Sequence, residues 1–69
     1  MTEKEKRRRK IRIKWRLEDM GLSGAMLARR LGVTRQNVSQ VIAGLYRSRR
    51  VEEYLVEVGI PAGLVWPDQ

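Results

Sequence analysis

The stretch that decides the fold is Gly24–Ala43, GAMLARRLGVTRQNVSQVIA. Leu27, Ala28 and Leu31 recur at helical spacing before Gly32, and Val38, Val41 and Ile42 do so after it. Two short amphipathic helices joined at a glycine are therefore predicted. Ser23 is placed to cap the first and Thr34 the second, since a hydroxyl there accepts from a first-turn amide that has no other partner. Ala28 is small enough for two helices to cross closely, and Gly32 supplies the left-handed backbone that a short turn needs. The apolar positions have packing reasons. Arg35, Gln36, Asn37, Ser39 and Gln40 do not, and need another explanation.

Upstream, Ile13, Leu17 and Met20 fall on one helical stripe, with Gly21 placed to end it. Ile11–Leu17, IRIKWRL, also alternates apolar and basic residues with period two, the pattern of a strand. Nothing else in the chain alternates to pair with such a strand, so helix is the reading. Thr2 and Glu5 have capping-box spacing, which allows this helix to begin far upstream. Repulsion among Arg7, Arg8, Arg9 and Lys10 argues instead for fraying until an anionic partner binds. Downstream, Gly44 ends the third helix, with Leu45 just beyond it and a short loop at Tyr46 and Arg47. Ser48 caps a fourth helix with its apolar stripe at Val51, Tyr54, Leu55 and Val58, and Gly59 follows. PAGLVW (residues 61–66) closes as one turn that returns Leu64, Val65 and Trp66 to the core. Trp15, Trp66 and Tyr54 are read as core residues. The expected fold is all-α, with four to five helices.

Charge divides the chain. Of its fifteen Lys and Arg, nine lie within residues 1–16 against only Glu3 and Glu5, while residues 17–69 are neutral in sum, so the net charge of +7 sits at the N-terminus. A basic arm on a neutral body suggests an anionic polymer as partner. The expected division is residues 1–10 as a flexible basic arm carrying Arg7, Arg8, Arg9 and Lys10, and residues 11–69 as the folded domain. With 69 residues and neither cysteine nor histidine, disulfides and a zinc site are not expected, and no cofactor or metal is implied. No apolar run has the length of a membrane span, so a cytoplasmic protein is expected. An enzyme is not expected: Glu18/Asp19 and Glu52/Glu53 are sequence neighbours, about 100° apart on a helix, and neither pair converges on a substrate.

The spacing across Gly24–Ala43 is a helix-turn-helix signature. LARRLGVTRQNVSQVIAG (residues 27–44) closely resembles the lambda-repressor-like family of Cro and repressor type. GIPAGLVWP (residues 59–67) is similar to the C-terminal end of Ner-like proteins of Mu-type phages. The resemblance implies a compact DNA-binding domain whose helix over 34–43 enters the major groove. At the matching positions Arg35, Gln36, Ser39, Asn37 and Gln40 become base-contacting candidates. Arg suits guanine and Gln suits adenine, each through two hydrogen bonds. Thr34, Gly24, Arg29, Arg47, Arg49, Arg50 and Lys14 become phosphate-contacting candidates. The family frequently has Gln at the position of Gly24, so that side-chain contact is missing and only backbone amides remain for phosphate.

The resulting expectation is a sequence-specific regulator of double-stranded DNA, a phage- or prophage-type repressor associated with the bacterial nucleoid. It would act by occluding an operator, with two copies per operator. Two alternatives compete. One is an RNA-binding protein that uses its arginine-rich arm. The other is an antitoxin-like protein-interaction module, whose mark would be an exposed apolar patch around Tyr54 and Trp66.

Overall fold

A computed structural model describes residues 2–67 as five helices: α1 (Glu3–Asp19), α2 (Gly24–Leu31), α3 (Arg35–Ile42), α4 (Arg49–Val58) and α5 (Ala62–Val65). Residues 68 and 69, which the expected domain boundary included, lie outside the described residues. The all-α expectation holds, and Ile11–Leu17 is helix rather than strand. Ser23, Thr34 and Ser48 cap α2, α3 and α4, accepting from the amides of Met26, Asn37 and Val51.

Ile13, Leu17, Leu27, Ala28, Leu31, Val38, Val41, Ile42, Val51, Leu55, Ile60 and Val65 form one buried cluster. Ala28 is 5 % exposed, on the buried side of α2. Gly32 ends α2 with φ of 71°, a left-handed conformation, and the Val33 amide folds back onto the Ala28 carbonyl. This turn sets the α2–α3 angle. None of the described helices is long and apolar enough to cross a membrane.

The expected arm at residues 1–10 is corrected. From Glu3 onward it is the first half of α1, seventeen residues long and about 25 Å by helical rise, close to the 29 Å longest dimension of the fold. The N-cap forms: Thr2 Oγ1 accepts from the Glu5 amide at 3.2 Å, and the Thr2 hydroxyl donates to Glu5 Oε1 at 3.1 Å. Helix formation also depends on Arg9, only 6 % exposed and so not an arm residue. Its guanidinium donates to the carbonyls of Val41 (3.3 Å) and Ile42 at the end of α3, and to the carbonyl of Val65 (Nη2, 3.2 Å) at the end of α5. The last turn of a helix leaves carbonyls without intrahelical partners. Ala43, Leu45 and Gly44 amides serve those of Ser39, Gln40 and Val41, and Arg9 reaches that of Ile42. A cation also complements the negative end of the α3 dipole. The like-charge repulsion expected along Arg7–Lys10 is thus offset by one member of the run leaving the surface.

Two other expectations change. Trp15 is 66 % exposed rather than core, because it lies two residues from Ile13 and so points to the opposite side of α1. Met20 is 40 % exposed, since the helix ends at Asp19 and Met20 is its C-cap. Leu45 is exposed in the loop after α3. Tyr54 and Trp66 do pack against the core as expected.

Arg9→Met should therefore leave three carbonyl groups short of a charged donor and cost about 2–3 kcal/mol. Urea unfolding monitored by circular dichroism will measure this. Arg9→Lys should recover only part, because an ammonium cannot fork between separate carbonyls.

Candidate nucleic-acid interface

The α2–α3 unit presents its second helix outward. Val38, Val41 and Ile42 are buried, and Arg35, Gln36 and Ser39 are exposed. Asn37 and Gln40 are half-buried, on the flank away from Ser39. Thr34 is exposed, with its hydroxyl occupied by the Asn37 amide at 3.0 Å.

One groove of about 360 Å³ runs between α1, the start of α2 and α3. Its lining includes Lys14, Glu18, Gly24, Arg35 and Ser39. Two groups of candidates, Arg35 and Ser39 for bases and Lys14 and Gly24 for phosphate, therefore share one surface. Gly24 is half-buried at the first position of α2, and a Cβ there would meet nothing within 4 Å. The space for a longer side chain at this position is open.

Lys6, Arg7 and Lys10 line a second groove with Ala43 and Leu45, at the far end of α3. The Lys6 stem lies close against Gly44, where a Cβ would come within 3.3 Å of Lys6 Cγ, and Gly44 also has φ of 79°. Since Lys14 borders the start of α3 and Lys6 its end, α1 runs antiparallel beside α3. Arg7, Lys10 and Lys14 follow one another at helical spacing along that side. Of the expected arm residues, Arg7 and Lys10 border α3, Arg8 is exposed beside α5, and Arg9 is buried.

The other candidates lie apart from the groove of Arg35. Arg29 and Arg30 are exposed on α2, and an Arg30 N–H donates to the Tyr54 hydroxyl at 3.2 Å. Arg50 is exposed, and Arg49 is paired with Glu53 at 2.8 Å. Arg47 and Arg49 line a separate cleft with Glu52 and Trp66.

Glu52 is 3 % exposed and was not foreseen as structural. Its carboxylate accepts from Trp66 Nε1 (2.6 Å), the Ser48 amide (2.9 Å) and Arg47 Nε and Nη2 (both 3.3 Å). It thereby joins the α3–α4 loop, the start of α4 and the closing turn. Burial pushes its pKa up, but hydrogen bonds from Trp66, Arg47 and Ser48 outweigh this and hold it below the ordinary value of 4.5. For Arg9, burial lowers the guanidinium pKa, Glu52 opposes that and Arg47 adds to it. Among the described residues no cluster of acidic side chains is placed to hold a metal ion.

Residues 13–52, more than half of the chain, match the profile of a family described as helix-turn-helix. The chain belongs to this family, of lambda-repressor and Cro type. Comparison with curated proteins and with solved structures gives no match. The family is one of DNA-binding transcription regulators. Among the described residues, Tyr54 and Trp66, around which the protein-interaction alternative expected an exposed apolar patch, are half-buried and hydrogen-bonded to Arg30 and Glu52.

The lowered Glu52 pKa makes a signed prediction. The contribution of its ionised form is complete above pH 4.5 and is lost as pH falls through the lowered value in the folded state. The stability difference between the parent protein and Glu52→Gln should therefore be largest near neutrality and shrink as acid is added. Urea midpoints measured for both across that range test it. A difference that stays constant with pH would contradict it.

Proposed function

We propose that the protein is a sequence-specific repressor of double-stranded DNA, of phage or prophage type, which blocks an operator by occupying its major groove with α3. The observation that carries this reading is the shared groove, in which Arg35 and Ser39 on α3 adjoin Lys14 on α1 and Gly24 at the start of α2. Phosphate contacts position a protein on a duplex, and base contacts give sequence preference. A surface that combines both beside one exposed helix suits that division of labour.

Gln36 is exposed at the centre of the outer face, and its amide can bond adenine N6 and N7 together. Arg35 can do the same for guanine O6 and N7, and a good pair of this kind contributes roughly 1–3 kcal/mol of discrimination. Ser39 is short enough to let a base edge or a thymine methyl approach. Asn37 and Gln40 flank these residues. Thr34, Arg29, Arg47, Arg49 and Arg50 complete the phosphate contacts, those of Arg47 and Arg49 in competition with Glu52 and Glu53. Arg7, Lys10 and Lys14 act from an ordered helix rather than from a loose arm. Because charge attracts any duplex equally, this basic side supplies affinity that falls with salt, while α3 supplies preference. Two copies on neighbouring half-sites give one short recognition helix adequate specificity.

Selection of bound sequences from a random duplex pool tests the reading. The parent protein should enrich a defined motif, and Gln36→Ala should lose preference at one position while keeping the others. Failure to enrich any motif would reduce the protein to a non-specific binder. Gly24→Gln should fill the open position with a side chain able to reach a phosphate. It should tighten binding to the enriched duplex by about 1 kcal/mol without changing the motif, as read by fluorescence anisotropy.

A further inference from the structure

α1 has a side that the fold does not use. Trp15 is 66 % exposed and Ile11 is 41 % exposed. They are four residues apart and so adjacent on the helix surface, opposite buried Ile13. Exposed apolar side chains scattered singly need no explanation, but a Trp–Ile pair on a helix this strongly charged does.

The charges around the pair are ordered. By helical position, Arg7 and Glu18 lie on one flank of the Ile11–Trp15 stripe and Arg8 and Asp19 on the other, all four exposed. On each flank the basic residue precedes the stripe and the acidic residue follows it. A parallel pairing of two such helices would set Arg against Arg and acid against acid. An antiparallel pairing centred near Ile13 does the reverse. It places Ile11 opposite Trp15 of the second copy, Arg7 opposite its Glu18 and Arg8 opposite its Asp19. Antiparallel helices bring like flanks together, so both charge pairs fall on matching sides.

We infer that this face of α1 is a self-association surface, on which a second copy of the chain pairs antiparallel through Ile11, Trp15 and the flanking Arg7–Glu18 and Arg8–Asp19 charges. The inference rests on the proposed two-copy reading and assigns its contact surface.

The geometry also agrees with one duplex serving both copies. The two-fold axis of such a pair is perpendicular to both helices and lies between them. On each α1, Lys14 borders the groove containing Arg35 and Ser39, roughly a quarter-turn from the Ile11–Trp15 stripe. That quarter-turn is the direction of the two-fold axis. Both α3 helices therefore lie on the same side of the pair, as two half-sites on one duplex require. Each α1 also has a basic excess, so free copies pair weakly, at high protein concentration and in salt that screens the excess. Phosphates alongside α1 neutralise that excess, and adjacent half-sites raise the local concentration.

The chain has no cysteine, so introduced thiols report pairing cleanly. Arg8→Cys and Asp19→Cys proteins are mixed, oxidised and analysed by mass spectrometry. The mixed disulfide should exceed the share given by random collision, and neither variant should efficiently link to itself. Predominant Arg8→Cys self-linking would indicate a parallel pair, and a random distribution or no product would indicate no specific pairing. Any of these overturns the inference. Because no DNA is present, the result is independent of whether the protein enriches a motif. Sedimentation equilibrium of the otherwise unmodified chain provides the second readout. Trp15→Ala, which removes an exposed side chain, should weaken self-association on the order of tenfold. A parent protein with no self-association, or one whose association Trp15→Ala leaves unchanged, also overturns it.

Discussion

The guanidinium of Arg9 on the carbonyls of Val41, Ile42 and Val65 is the contact on which the rest of the arrangement depends. One side chain from α1 meets the ends of α3 and α5. Burying a cation is costly unless its donors are used, and here the donors meet carbonyls that helix ends leave short of partners. Solvating the group twice over, by dipoles and by the nearby Glu52 charge, allows it to stay ionised in the interior. The consequence reaches beyond stability. With Arg9 fixed, Arg7, Lys10 and Lys14 are held on one side of a rigid helix beside α3.

Glu52 plays the complementary part on the α4 side of the closing turn. It gathers the Trp66 indole, the Ser48 amide and the Arg47 guanidinium around one carboxylate. A four-residue helix such as α5 has too few internal hydrogen bonds to stand alone. Val65 in the core, the Arg9 bond to its carbonyl and the Trp66–Glu52 bond hold it in place. In a chain of 69 residues without disulfides, two buried charges with every buried side-chain donor and acceptor satisfied among the described residues do work that a larger core would do by area alone.

Much of the fold was legible because its signals are local. Ser23, Thr34 and Ser48 cap helices through amides three residues away, Gly32 turns the chain within its own turn, and Val38, Val41 and Ile42 share a face by period alone. The grouping of Arg35, Gln36 and Ser39 on the exposed side of α3 follows from the same period. Arg9 was harder to see. It stands four residues before Ile13, on the same stripe, but an arginine in a run of basic residues reads as solvent-facing. Trp15 misleads in the opposite sense, since a large aromatic residue reads as core until its phase relative to Ile13 is counted.

By itself, then, the sequence determined the helix-turn-helix, its caps, the side chains that it presents and the concentration of charge at the N-terminus. These depend on spacing within a few residues. Only the tertiary structure decided that the basic segment is an ordered helix, that Arg9 is interior and that Trp15 is outside. The partners of Arg9 lie 32 to 56 residues away. Whether a charged side chain enters a protein depends on how many carbonyl groups converge to receive it, and no local pattern records that convergence.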